Sequence, residues 1–201
     1  MRMKNLQYPL EFKFKITTLS SDFTITDQSG QIQAYARQKL FKFKESVQVY
    51  ESDAKRDVLY NINANQWIDF NASYSITEPR TGTELGKVAR KGMRSFWRAT
   101  YEIFDNNGQK LFTITEENPW VKMWDSFVGE LPIIGMFTGY FLNPAYIIKD
   151  TNDQIVFRLK KTPSLLGRRF ELDRLIDIPD EQETLCALSL MMMILLERGR
   201  G

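Results

Sequence analysis

The commonest pattern along the chain is an alternation of aromatic or β-branched residues with polar residues. Four times the alternation runs into an acidic residue with glycine or asparagine close by, and then resumes. An alternation of period two is typical of a strand with one buried face, and Asp, Asn and Gly favour tight turns between strands. We therefore predict four β-hairpins, at residues 23–32, 74–82, 101–111 and 146–157.

Three further alternating runs bring the predicted number of strands to about a dozen. They cover residues 12–16, 41–50 and 58–62. Short strands separated by turns at this spacing are typical of a sandwich or a closed barrel. A chain of 201 residues is long enough for one such domain. The prediction is a mainly β fold in a single domain that covers residues 1–201.

A different pattern follows near the end of the chain, where residues 184–196 carry no charge between Glu183 and Glu197. Asp180 with Glu183 three residues later favours a helix start, and Gly199 favours a helix end. A helix that is apolar on all sides must be surrounded by protein or by lipid. The uncharged run is shorter than the roughly twenty residues that span a membrane. We expect a core helix enclosed by the strands, with a membrane tail anchor as the alternative.

The connection from about residue 116 to residue 145 is longer than two neighbouring strands require. Asn118 and Pro119 favour a helix start, and apolar residues then recur at helical spacing opposite charged ones. This predicts an extra amphipathic helix inserted late in the chain. The helix either packs against the barrel or contacts a membrane or a protein partner. The residues expected to make such a contact are Trp120, Trp124, Phe127 and Leu131.

The composition argues against catalysis. The chain has no histidine, which removes a common general base and metal ligand. Its single cysteine, Cys186, lies in the apolar run, where burial disfavours the reactive thiolate. We therefore predict no enzyme activity, no metal and no cofactor, and we expect no small-molecule substrate. The lone cysteine and the absence of an apolar leader run among the first residues favour the cytoplasm.

Two stretches without an acidic residue, 86–100 and 158–169, concentrate positive charge in a chain whose net charge is only +2. Clustered cations near aromatic side chains suit phosphate contacts on an anionic membrane surface or on nucleic acid. The low net charge argues neither for nor against nucleic acid, and of the two partners we expect the membrane surface. The alternative is a solvated strand face whose acidic partners lie on neighbouring strands. The sequence leaves open whether the two stretches meet. The cations are Lys87, Arg90, Lys91, Arg94 and Arg98 in the first stretch, and Lys160, Lys161, Arg168 and Arg169 in the second.

Repeated hairpins of the form Ile-x-Asp-x-x-Gly, the stretch Arg-Gln-Lys-Leu-Phe at 37–41 and the apolar helix that follows the strands resemble the LURP-one-related proteins. That family belongs to the superfamily of the Tubby C-terminal domain and the phospholipid scramblases. The resemblance covers about residues 20–198. It implies a closed antiparallel barrel of about twelve strands around the C-terminal helix, a Tubby-like fold, with residues 116–145 as an insertion.

For function, the resemblance implies binding of phosphoinositides or handling of membrane lipids. Tubby domains hold a lipid headgroup with a Lys and an Arg two residues apart after a Gly. Here Gly86 and Lys87 match, and Ala89 stands in the arginine position. We expect a non-catalytic module that binds an anionic phospholipid or a membrane surface, in the cytoplasm or at the periphery of a membrane. The alternative is a protein-interaction or scaffold component that uses residues 118–145.

Overall fold

The computed structural model describes residues 3, 5–16, 20–39, 46–65, 73–91, 100–117, 145–163 and 168–198. Within these residues the chain forms twelve strands followed by one helix, α1 (Asp180–Arg198). The strands are β1 (Leu10–Ile16), β2 (Ser20–Thr26), β3 (Ile32–Lys39), β4 (Ser46–Tyr50), β5 (Val58–Ala64), β6 (Ser73–Glu78), β7 (Thr83–Lys91), β8 (Thr100–Asp105), β9 (Lys110–Glu116), β10 (Ala145–Lys149), β11 (Ile155–Thr162) and β12 (Arg168–Arg174).

The strands form a closed barrel in which each strand pairs antiparallel with the next along the chain. β1 pairs with β12 and closes the barrel, with Phe12 opposite Phe170. The predicted mainly β fold, a closed antiparallel barrel of twelve strands with a C-terminal helix, is therefore confirmed. The barrel begins at Leu10, before the stretch 20–198 that the family resemblance covers. Most of the predicted insertion, including its amphipathic helix with Trp120, Trp124, Phe127 and Leu131, lies outside the described residues.

One end of the barrel is made of hairpins, and all four predicted hairpins are confirmed as β2–β3, β6–β7, β8–β9 and β10–β11. Three of them share one turn, in which an aspartate Oδ1 accepts hydrogen bonds from the backbone N–H groups two and four residues later. The residue three positions after each aspartate has a positive φ, which favours glycine. The aspartates are Asp27, Asp105 and Asp150, and the positive-φ residues are Gly30, Gly108 and Asp153.

The helix α1 lies inside the barrel, and its residues 184–195 are all buried. The inward side chains of the strands, such as Ile25, Ile76 and Phe157, are fully buried and belong to the same apolar core. Nineteen residues correspond to a length of about 28 Å. The helix begins at the hairpin end, where Glu183 accepts a hydrogen bond of 2.5 Å from Arg174, the last residue of β12. The predicted core helix is therefore present.

A side chain would not fit at Gly86 on β7, because the backbone of β8 and a leucine of the helix both come close to it. A Cβ atom there would lie 2.2 Å from the backbone oxygen of Phe104 and 2.9 Å from Cδ2 of Leu185. Leu185 is in the second turn of α1, and Phe104 is on β8. Gly86 therefore sets how closely the helix and the wall pack.

In the described part of the chain, no helix combines the length and the apolar character needed to cross a membrane.

Candidate functional site

Most of the described cations of the two basic stretches lie towards the barrel end opposite the hairpins, whereas Lys87 lies in the middle of β7. We call this end the mouth: β7, β9 and β11 end there, and β8, β10 and β12 begin there. Because β7 ends at Lys91, β11 ends at Thr162 and β12 begins at Arg168, stretches about 70 residues apart in sequence reach the same end. Three strands, β8 to β10, separate them around the barrel. The other cations of the first stretch, Arg94 and Arg98, lie outside the described residues.

Cations on the outer wall are paired with carboxylates on neighbouring strands. This is the arrangement expected of a solvated strand face, and exposed pairs of this kind contribute at most about 1 kcal/mol each. The distances are 3.3 Å for Lys91 Nζ to Glu102 Oε1, 3.0 Å for Lys160 Nζ to Asp173 Oδ2 and 3.8 Å for Arg169 Nε to Glu11 Oε1.

Strand alternation places Lys87 and Arg90 on opposite faces of β7. Lys87 lies outside, with its ammonium 5.2 Å from the centre of the Phe104 ring. Arg90 is two residues after the buried Val88 and therefore points into the barrel. Ala89 lies on the same outer face of β7 as Lys87. The position two residues after Lys87, which the resemblance to Tubby domains assigns to an arginine, therefore holds an alanine.

A ring of polar side chains faces inward at the mouth, and we call it the mouth ring. Each member continues the inward face of its strand beyond a buried apolar residue; Glu116, for example, follows Ile114 and is opposite Tyr146. In this position an apolar residue would be the ordinary choice, because inward faces of a filled barrel form the core. The members are Arg90, Tyr101, Glu116, Tyr146, Lys161 and Arg168.

The last turn of α1 adds a carboxylate to the mouth ring. The hydroxyl of Tyr101 donates a short hydrogen bond to Oε1 of Glu197. The guanidinium Nε of Arg90 lies 3.6 Å from the same oxygen, and the two charged side chains are 20% and 28% exposed. Glu197 thus ties the end of the helix to β7 and β8.

The two tyrosines of the mouth ring are hydrogen-bond donors at neutral pH. Burial raises the pKa of Tyr101 far above its ordinary value, and the hydrogen bond and charge of Glu197 raise it further. Burial also raises the pKa of Tyr146, to about 12, with the charges of Glu116 and Glu197 adding to the effect and that of Arg168 opposing it. A phenol that keeps its proton can donate to an oxyanion.

Two cations of the mouth ring have no ion pair with a carboxylate of the described residues: Lys161 and Arg168. Lys161 is half-buried on β11, directly opposite the buried Phe170, and Arg168 is exposed at the start of β12. With Tyr146 on the neighbouring β10, they present positive charge and donors towards the interior of the mouth.

Sequence comparison does not assign the chain to a family. No known family model matches the chain, and no curated protein matches it either. Among the described residues, no group of three cysteine, aspartate or glutamate side chains is placed to hold a metal ion. Burial, followed by the charge of Glu183, raises the pKa of the Cys186 thiol, which suppresses its thiolate.

The sequence predicted most of the cations at the mouth but missed the other members of the ring. The sequence did not indicate Tyr101, Glu116, Tyr146 or Glu197 as site residues. A signal is present in the strands: Tyr101, Glu116 and Tyr146 each fall on the apolar phase of an alternating run, at a strand end. A polar residue on that phase indicates a place where the interior opens to water or to a ligand.

Proposed function

We propose that this chain is a non-catalytic, Tubby-like module of the LURP-one-related kind that binds an anionic membrane surface with the mouth of its barrel. The observation that carries the proposal is the placement of two sequence-distant basic stretches at the same end of the barrel. The closed twelve-stranded barrel around a C-terminal helix, which the family resemblance implies, supports the Tubby-like assignment. The proposed binding mode differs from that of Tubby domains, because the residue two positions after Lys87 is Ala89 and not an arginine.

Several cations at the mouth remain available to an anionic surface. Lys161 and Arg168 have no carboxylate partner within the described residues, and the exposed pairs of Lys91 and Lys160 are weak enough to yield to a phosphate. Each Lys or Arg near an anionic membrane contributes about 1 kcal/mol at physiological ionic strength. Four such cations correspond to about 4 kcal/mol, which is sufficient for reversible peripheral binding.

Liposome flotation tests the proposal. The protein is mixed with vesicles of phosphatidylcholine alone or with a third of phosphatidylserine, at low and at moderate salt. We expect recovery in the floating fraction only with phosphatidylserine, and less of it as salt increases, because screening weakens charge attraction. Protein that remains at the bottom of the gradient in every condition would require the lipid proposal to be dropped.

A pair of matched variants locates the binding surface. Lys161→Gln with Arg168→Gln removes two charges from the mouth and should reduce flotation at least tenfold. Arg56→Gln with Lys110→Gln removes two charges at the hairpin end, where both residues are exposed, and should leave flotation close to that of the wild type. Equal losses in the two double variants would indicate a response to net charge and not to the mouth.

A further inference from the structure

The position of Glu197 is unfavourable for a carboxylate. The last turn of an α-helix carries a partial negative charge from its unpaired carbonyl groups, so an anion there is destabilising. Glu197 is the second-last residue of α1 and is only 28% exposed at its side chain. It is nevertheless held in the mouth by Tyr101 and Arg90. An acidic residue in this place needs those two partners.

The pairing with Arg90 is incomplete. At 3.6 Å, the contact from Nε to Glu197 Oε1 is an ion pair but too long for a hydrogen bond. The Nε atom is buried, and none of the described residues accepts a hydrogen bond from it. A buried donor on a charged group that lacks an acceptor is destabilising. Arg90 is therefore poorly satisfied by Glu197 and has donors for a better oxyanion.

We propose that Glu197 is an internal stand-in for an external phosphate group, which displaces the Glu197 carboxylate from Arg90 when it enters the mouth. The proposal rests on the proposed function and adds a regulatory contact to the same site. A phosphate has three terminal oxygens that suit the guanidinium fork of Arg90. Further donors lie on β10 to β12, across the mouth ring from Arg90: the Tyr146 hydroxyl, Lys161 and Arg168. Tyr146 lies close enough to Glu197 and Arg168 for both charges to act on it. The phosphate belongs either to a lipid headgroup or to a free phosphorylated molecule.

The stand-in lowers affinity for the external anion. Among the described residues, the mouth ring and the last turn of α1 together carry three cations, Arg90, Lys161 and Arg168, and two carboxylates, Glu116 and Glu197, a difference of +1. When Glu197 is neutral, the difference becomes +2, and no internal anion competes for Arg90. At a separation of about 4 Å in a water-like medium one charge is worth about 1 kcal/mol. Removing the charge of Glu197 should therefore strengthen anion binding about three- to tenfold.

The central experiment compares the wild type with Glu197→Gln. The variant keeps an oxygen that can accept the hydrogen bond from Tyr101, so the helix end retains one of its two ties. Asp153→Asn is the matched control, because it also removes one negative charge, lies in a hairpin at the opposite end and has a positive φ that asparagine tolerates. Binding is measured by flotation with phosphatidylserine vesicles and by titration with inorganic phosphate.

We expect Glu197→Gln to bind three- to tenfold more tightly than the wild type and Asp153→Asn to match the wild type. A gain for inorganic phosphate as well as vesicles assigns the site to a free phosphate group. A gain for vesicles alone assigns it to a headgroup in a membrane. In a second variant, Arg90→Gln, both kinds of binding should weaken at least threefold, which keeps a test available if Glu197→Gln does not fold.

The failures of the two proposals are distinguishable. If the wild type floats with acidic vesicles and both Glu197→Gln and Arg90→Gln match it, the stand-in role is wrong while the membrane proposal remains. If neither the wild type nor Glu197→Gln binds vesicles or phosphate, both proposals are wrong. An equal gain in Asp153→Asn and Glu197→Gln also overturns the stand-in role, because it shows an effect of net charge alone.

Discussion

Among the three turn aspartates, Asp27 accepts the most hydrogen bonds. Its carboxylate accepts hydrogen bonds from the backbone and hydroxyl of Ser29, the backbone of Gln31 and the side chain of Gln33. Burial raises the pKa of Asp27, but these hydrogen bonds outweigh it and hold the pKa below its ordinary value. Asp27 therefore stabilises the fold in its ionised form.

The Asp27→Asn variant tests this ionised form. A carboxyl whose pKa is lower in the folded state stabilises above its unfolded pKa and loses the contribution as pH falls through its folded pKa. We expect the substitution to reduce the free energy of unfolding by about 1–2 kcal/mol at pH 7 and by much less near pH 2. Urea unfolding at both pH values measures the change in free energy, and Asp53→Asn, at an exposed position, is the control. An equal loss at both pH values would contradict the role of the charge.

Gly86 gives a second prediction at the scale of one residue. In Gly86→Ala the new methyl meets a backbone oxygen, which cannot move as a flexible side chain can. We expect a loss of at least about 3 kcal/mol, or failure to fold. Gly82→Ala is the control, because Gly82 also has a positive φ but no atom within 4 Å of an added Cβ, so only the backbone cost of about 1–2 kcal/mol remains. Equal losses in urea unfolding would show that the close approach of β8 and the helix to Gly86 is unimportant.

At the scale of elements, the strands and the helix were predictable because each depends on local pattern. The turn chemistry of Asp105 and Gly108 identifies its hairpin from four residues, and the uncharged run identifies α1. The mouth ring was not predictable in the same way. Whether Tyr146 faces Glu116 depends on the register between β9 and β10, which a long connection does not fix as a two-residue hairpin turn would.

The helix α1 contains a polar atom that the core does not satisfy. The hydroxyl of Ser189 is fully buried, and no described residue forms a hydrogen bond with it. We expect Ser189→Ala to raise the free energy of unfolding by about 1 kcal/mol, because it removes an unmatched buried hydroxyl at little cost in volume. Thermal unfolding measures the change.

Thr184 is the contrast for that prediction. Its hydroxyl donates to the backbone oxygens of Met3 and Asp180, at 3.0 and 2.9 Å. Thr184→Val should therefore lower stability by about 1 kcal/mol while Ser189→Ala raises it. The interpretation of Ser189 fails if both variants move the unfolding temperature in the same direction.

For the whole molecule, the barrel and its helix form one core. Inward side chains such as Phe12, Tyr60 and Ile103 are fully buried in a cluster that includes residues of α1. The number of strands was predicted well. The placement of both basic stretches at the mouth depends on how many strands lie between them, because each strand reverses the direction of the chain. That count includes β8 to β10, which the spacing of cations in the sequence does not reveal.

Ending the chain after Pro179 removes α1 and tests whether the barrel folds without the helix in its interior. We expect the shortened chain to lose its near-ultraviolet circular dichroism and to bind a hydrophobic dye, because the apolar faces of twelve strands would be left without a partner. The full chain under the same conditions is the reference. A cooperative unfolding transition in the shortened chain would show that the strands alone form a stable core.

The pairing of β1 with β12 also has a consequence for synthesis on the ribosome. β1 emerges first among the strands, its partner β12 emerges last, and the helix that fills the interior follows β12. At about 5–20 residues per second, roughly 10–30 seconds separate the two edges of the closing seam. During that time the growing sheet has an open edge and an uncovered apolar face. The barrel therefore cannot close while the chain grows until β12 has been made.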